Sequence, residues 1–153
     1  MKRRVFICAA VSFTATALAI RPAAAEVKGM MTIYKDPNCG CCHLWSEAMK
    51  KAGYTTVIND KADLSEIKLR FGVPKAVQGC HTAVIGKYFI EGHVPLAAVE
   101  ELLMDPHDIA GYAVPGMPSG SLGMGEDPNA SYDVYRVGKD GAIDVVLEVK
   151  PQT

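Results

Sequence analysis

The most reactive side chains of the sequence are crowded into one short segment, YKDPNCGCCHLW at 34–45, which contains Cys39, Cys41 and Cys42. Thiolates act as nucleophiles in disulfide exchange and as soft ligands that prefer Cu(I) and similar ions to hard cations. Neighbouring Cα atoms lie about 3.8 Å apart, below the roughly 4.4–6.8 Å that a disulfide spans. Cys39–Cys42, a C-x-x-C, is therefore the easiest pairing. Of the other three cysteines, Cys8 lies within the first 25 residues, and Cys41 and the distant Cys80 are left without a partner in this pairing.

The hydrophobic pattern around these cysteines predicts the elements that hold them. In chain order we expect strand 30–34, helix 44–52, strand 54–58, helix 64–71, strands 81–85 and 88–94, and helix 96–103. A segment rich in Gly and Pro, 105–129, is predicted to be a loop, and strands 132–137 and 143–149 a closing hairpin. With a C-x-x-C between the first strand and the first helix, this order predicts an α/β, thioredoxin-like fold. We expect a central mixed sheet flanked by helices, with an added C-terminal β-hairpin.

This fold predicts that the four thiols meet in space. Cys39 lies in the loop and Cys42 in the first turn of the first helix, where unpaired N–H groups favour thiolates. Cys80 precedes the third strand, a position that faces the C-x-x-C loop in thioredoxin-like folds. Side chains of the successive residues Cys41 and Cys42 diverge by about 100° at a helix start. Diverging thiolates are better suited to bridging several ions than to enclosing one.

The first 25 residues are typical of a bacterial export signal. Residues 1–4 are basic, residues 5–20 are apolar and small, and residues 23–25 offer a cleavage site ending at Ala25. We therefore expect a periplasmic protein whose mature part, 26–153, forms a single thioredoxin-like metal-binding domain. Four of the 16 basic residues lie in the leader, so the mature chain is acidic and nothing indicates nucleic-acid binding. No later apolar run is long enough to span a bilayer.

Histidines and methionines add further candidate ligands. His43 and His81 directly follow cysteines, and His93 ends a predicted strand. Strand alternation predicts that His81 points away from the face on which Cys80 lies. Met117 and Met124 lie among Gly and Pro, so they are expected in a loop that either covers the site with thioether ligands or plugs the core.

Four motifs in order resemble the CopG family of small periplasmic copper-resistance proteins, which is distinct from the repressors of the same name. They are CGCCHLW at 39–45, GCHTAV at 79–84, EGHVP at 91–95 and AVPGMPSGSLGMG at 113–125. The resemblance implies a thioredoxin-like domain whose cysteines bridge a small cluster of copper ions. It also implies a role in copper resistance and homeostasis, with interconversion of Cu(I) and Cu(II) as a candidate activity. The expected partners are copper ions and a periplasmic copper donor, copper acceptor or redox protein.

Two other functions remain open from the residues themselves. A thiol-disulfide oxidoreductase would use Cys39 and Cys42 but would gain nothing from Cys41 inside the same loop. A binding module with a single structural zinc ion would use the four thiolates as a closed tetrahedral site. Cys41 and Cys80 are thus the residues that distinguish the three interpretations.

Overall fold

Over residues 28–104 and 108–152, the computed structural model contains seven strands in one mixed sheet, with helices between them. The strands are β1 Met30–Lys35, β2 Thr55–Asp60, β3 His81–Ile85, β4 Tyr88–Glu91, β5 Ile109–Ala113, β6 Tyr132–Gly138 and β7 Ile143–Val149. The helices are α1 Gly40–Lys51, α2 Ser65–Arg70 and α3 Leu96–Met104, with a 3-10 turn at Lys75–Val77. The predicted export signal lies outside the described residues.

The sheet confirms the predicted fold class. Its strand order is β2-β1-β3-β4-β5-β6-β7. Strand β1 is parallel to β2 and antiparallel to β3, which is antiparallel to β4. These four strands with α1, α2 and α3 form the thioredoxin-like core, and β6 and β7 form the predicted C-terminal hairpin.

The prediction that 105–129 is a loop throughout is wrong, because it contains β5. This strand pairs parallel with β4 and antiparallel with β6, so the C-terminal hairpin continues the core sheet instead of standing apart. Its central residue, Gly111, weakened the strand pattern, but a Cβ there would lie 2.1 Å from the carbonyl oxygen of Phe89. Strand β4 also ends three residues earlier than expected, since Gly92 has φ +67° and turns the chain.

The main core lies between the sheet and two helices, α1 and α3. From α1 it receives Trp45 and Met49, and from α3 Val99 and Leu102, all fully buried. The indole Nε1 of Trp45 donates a hydrogen bond to the carbonyl oxygen of Val94 at 2.9 Å, which satisfies its polar atom within the core. The start of α1 is thereby held against the chain that follows β4. Among the described residues, no helix is long and apolar enough to cross a membrane.

Candidate metal centre

The CGCC segment forms the N-terminal end of α1. Cys39 occupies the N-cap position, and its backbone N–H donates to the carbonyl oxygen of Asp36 at 3.0 Å. The Asp36 carboxylate accepts the N–H of Asn38 at 2.7 Å, which closes the turn before the helix. The cap makes no side-chain hydrogen bond, and the first turn contains no acidic residue. No carboxylate therefore neutralises the positive end of the helix dipole, and the groups that it can stabilise as anions are the cysteine sulfurs.

The four sulfurs lie together, as predicted. Cys39 and Cys42 form a disulfide with their Cα atoms 5.3 Å apart, the pairing expected from the spacing. The Sγ atom of Cys80 lies 3.3 Å from that of Cys42, and the Sγ atom of Cys41 lies 3.5 Å from that of Cys39. All four sulfurs fall within 4.8 Å of one another. Residues 38 positions apart in sequence thus share one site.

Two histidines form a second group of donor atoms that shares Cys80. The Sγ atom of Cys80 lies 3.0 Å from Nε2 of His93 and 3.5 Å from Nδ1 of His81. The donor atoms of these three residues lie within 4.8 Å of one another. The prediction that His81 points away from Cys80 is wrong. Cys80 lies at a bend before the first residue of β3, where strand alternation does not apply.

Hydrogen bonding determines which nitrogen of His93 is free. Its Nδ1 lies 2.7 Å from the carbonyl oxygen of Leu122, which can only accept, so Nδ1 carries the proton. The bare Nε2 then faces Cys80, as in metal sites where a backbone carbonyl orients the ligand. Among the described residues, His81 Nε2 is the buried side-chain nitrogen or oxygen atom that lacks a hydrogen-bond partner.

Burial controls the protonation of these groups. Burial, reinforced by the nearby Cys41, raises the pKa of the Cys80 thiol to about 12. Burial lowers the pKa of His93, and it lowers that of His81 well below the usual value, with His93 and two lysines adding to the effect. Both imidazoles are therefore neutral at pH 7, and Cys80 must release a proton when it binds a metal ion.

The remaining predicted ligands are placed less centrally. His43 is exposed on α1 and belongs to neither group of donor atoms. Met117 is 56% exposed, with its Sδ atom 4.0 Å from the Sγ atom of Cys41. Met124 is half-buried in the same loop.

We call the segment 115–125 the methionine loop, and it lies against the start of α1. Gly116 N–H donates to the carbonyl oxygen of Gln78 at 3.0 Å, and Leu122 accepts from His93 as described. Gly123 has φ +90°, and a Cβ there would lie 2.8 Å from the carbonyl oxygen of Cys41. The loop therefore contacts both the CGCC segment and His93.

Two glycines that the sequence analysis did not single out bring the ligand-bearing segments together. Gly79 precedes Cys80 and Gly92 precedes His93. A Cβ at Gly79 would lie 2.6 Å from the Cα of Gly92, and one at Gly92 would lie 2.4 Å from the carbonyl oxygen of Val114. The signal in the sequence was a glycine directly before each candidate ligand, which indicates close backbone approach.

Comparison with known proteins assigns the chain to a family. A family model described as "Protein of unknown function, DUF411" matches residues 77–124. No curated protein matches the chain. Two solved structures of a copper resistance protein CopG, Form 1 and Form 2, are each 38% identical to it, with a TM-score of 0.74. The similarity covers 79% of this chain and 97% and 98% of those chains. The chain belongs to the CopG family of copper-resistance proteins.

The donor set of this CopG-family chain fits a soft or borderline metal ion. Four sulfurs and two imidazole nitrogens converge, whereas Mg²⁺ and Ca²⁺ require oxygen ligands. The DUF411 match contains Cys80, His81, His93 and all but the last residue of the methionine loop, whereas the CGCC segment lies before it. The cluster of cysteines and histidines is thus a candidate metal centre built from two separate parts of the chain.

Proposed function

We propose that this protein binds copper through Cys39, Cys41, Cys42 and Cys80 and thereby contributes to copper resistance and homeostasis. The observation that carries the proposal is the convergence of the four sulfurs within 4.8 Å at the start of α1. Thiolates select Cu(I) over hard cations, and the helix end stabilises their negative charge. Membership of the CopG family supports copper as the ion.

The number of donor atoms supports a site for more than one copper ion. One tetrahedral ion is saturated by four ligands, whereas the two groups together offer six donor atoms. Cys80 belongs to both groups, so its thiolate would bridge ions held by the two groups. Met117 is close enough to Cys41 to add a thioether at the exposed margin.

The two groups differ in chemistry, which supports interconversion of Cu(I) and Cu(II). The sulfur group favours Cu(I), whereas imidazoles such as His81 and His93 also suit Cu(II). The disulfide between Cys39 and Cys42 removes two thiolates from the ligand set. Copper binding through all four cysteines therefore requires this pair to be reduced, and its oxidation would lower the number of copper ions that the site can hold.

The proposed setting is the periplasm. The basic and apolar leader supports export with cleavage near Ala25, leaving 26–153 as a single domain. Its partners would be copper ions and a periplasmic protein that donates copper, accepts copper or exchanges electrons.

Copper counting tests the proposal. The mature chain is reduced under anaerobic conditions and loaded with Cu(I), and bound copper is measured by elemental analysis. We expect more than one copper ion per chain, with loss on Cys41→Ser and on Cys80→Ser. Leu44→Ser, at an exposed position of the same helix, is the matched control and should bind as the wild type does. One ion per chain, unaffected by Cys41→Ser, would contradict the proposal.

The disulfide at the start of α1 also favours a second candidate, a thiol-disulfide oxidoreductase using Cys39 and Cys42. That function predicts that metal-free protein reduces insulin disulfides and keeps this activity after Cys80→Ser. A single-zinc module predicts instead one colourless ion per chain and loss of the fold on chelation. The same preparations therefore distinguish all three functions.

A further inference from the structure

We propose that the buried ion pair between Lys68 and Glu91 positions Cys80 and His93 for metal binding; the inference rests on the metal centre proposed above. Glu91, at the end of β4, is 0% exposed, and Lys68, on α2, is 8% exposed. Lys68 is the buried residue of α2, although lysine is among the side chains most rarely buried. The contacts of Lys68 explain why this charged side chain is buried beside the candidate metal centre.

The ion pair holds one backbone position from both sides. Glu91 Oε1 accepts the backbone N–H of Gly79 at 2.8 Å, while Lys68 Nζ donates to the carbonyl oxygen of Gly79 at 3.1 Å. The hydroxyl of Thr82 donates to Glu91 Oε2 at 2.6 Å and accepts from Lys68 Nζ at 3.3 Å. Lys68 Nζ also donates directly to Glu91 Oε1.

These contacts enclose the ligand segment. Gly79 and Thr82 are the residues on either side of Cys80 and His81, so both ends of this pair are fixed by the same two charges. Glu91 lies two positions before His93 and is bonded to the residue just before Cys80. The ion pair therefore links the two segments whose side chains meet with Cys80 Sγ 3.0 Å from His93 Nε2.

A purely stabilising role explains this arrangement poorly. Buried ion pairs contribute little net stability, and well-packed apolar replacements of both partners are often neutral or stabilising. Residues that orient metal ligands, in contrast, typically change metal affinity by about 10–100-fold when they are replaced. Comparing a variant without both charges of Lys68 and Glu91 with a core variant of similar Tm therefore separates stability from ligand placement.

The main test uses the double variant Lys68→Met/Glu91→Leu in the mature chain. Cu(I) affinity is measured anaerobically by competition with a chromophoric Cu(I) chelator, and thermal unfolding is followed without metal. We expect copper affinity to fall by about 10–100-fold. The Tm should fall as well, because the Gly79 amide and the Thr82 hydroxyl lose their hydrogen-bond partners. Leu102→Ala, a fully buried core change on α3, is the control and should lower the Tm without changing copper affinity.

A metal-free measurement keeps this inference separate from the proposed function. In the double variant we expect faster hydrogen exchange at the Gly79 amide and a shifted imidazole nitrogen resonance of His93, both measured by NMR. If the wild-type protein binds no copper, the proposed metal centre is wrong. The NMR spectra need no metal, so they still show whether the ion pair positions Cys80 and His93.

Thr82 offers a milder test if the double variant fails to fold. Thr82→Val has nearly the same side-chain volume but lacks the hydroxyl that contacts both Lys68 and Glu91, and Thr82→Ser keeps that hydroxyl. We expect several-fold weaker Cu(I) binding in Thr82→Val and wild-type binding in Thr82→Ser. The inference would be wrong if Lys68→Met/Glu91→Leu and Thr82→Val bound Cu(I) as tightly as the wild type and gave the same NMR spectra. A loss of affinity that Leu102→Ala reproduces at equal Tm would also overturn it.

Discussion

The metal-centre end of the sheet and the C-terminal hairpin differ in how closely their backbones pack and in how far their charged side chains are buried. Around Cys80, glycine backbones touch and charged side chains are buried with their hydrogen-bonding atoms paired. In the β6–β7 hairpin, ion pairs are exposed and β7 leaves apolar side chains at the surface. The first region is constrained by close contacts and by the cost of unpaired buried charge, whereas the second depends mainly on strand pairing. Equivalent substitutions should therefore have very different effects in the two regions.

Gly92→Ala should have the largest effect. Gly92 combines φ +67° with a Cβ position 2.4 Å from the carbonyl oxygen of Val114, so backbone strain and a backbone clash add. We expect a loss of more than about 4 kcal/mol in the free energy of unfolding, measured by chemical denaturation. Gly141→Ala, in the hairpin turn, has φ +85° and nothing within 4 Å, so it should cost only about 1–2 kcal/mol. Equal losses would contradict the contrast between the regions.

Lys68→Met alone should have the next largest effect. It leaves the fully buried Glu91 without its counter-charge, which typically costs about 3–5 kcal/mol. Arg136→Met breaks the exposed Arg136–Asp144 pair at 3.2 Å in the hairpin and should stay within about 1 kcal/mol of the wild type. Urea denaturation of the two metal-free variants measures the free energy of unfolding. A small loss in Lys68→Met would contradict the expected cost of leaving Glu91 buried without its counter-charge.

Gly123→Ala tests the methionine loop with a control in the same segment. The added methyl group would lie 2.8 Å from the carbonyl oxygen of Cys41, so the loop must move away from α1 and release His93. We expect Cys80 to react several-fold faster with iodoacetamide and Cu(I) affinity to fall by about tenfold. Gly125→Ala, with φ +86° and open space, should leave both measurements close to wild type.

The smallest expected effect is at the hairpin turn. Lys139 donates to Asp108 and holds the pKa of that exposed carboxyl below its usual value. Because the folded-state pKa is depressed, this stabilisation is present above the unfolded pKa of about 3.9 and is lost as pH falls through the folded value. Asp108→Asn should therefore lower the Tm slightly at pH 7 in low salt. The difference should begin to decline below about pH 4, disappear once the pH is below the folded pKa, and be absent in 1 M salt. A difference that persists in acid would assign it to another cause.

The helices, the strands other than β5 and the meeting of the cysteines could be predicted from the sequence. The elements follow from local pattern, and the meeting of the cysteines follows from the fold class that those elements define. Periodicity identifies α1 and β3, and the fold class then places Cys80 opposite the CGCC segment. Strand β5 was missed because Gly111 weakens strand propensity and because its two neighbours are contributed by other parts of the chain.

The side chains that support the site were harder to predict. Lys68 lies among residues whose pattern indicates an ordinary amphipathic helix, and its burial depends on a carboxylate 23 positions away. The direction of His81 depends on a bend before β3 that strand alternation does not describe. In both cases the deciding interaction is with a distant segment, so single-sequence patterns do not contain it.

The contact between Gly79 and Gly92 has a consequence for protein engineering. Transplanting the four cysteines and two histidines into another thioredoxin-like scaffold would not reproduce their spacing if any side chain stood at either preceding position. A single methyl group there would hold the two segments apart. Both glycines must therefore be transplanted together with the ligands.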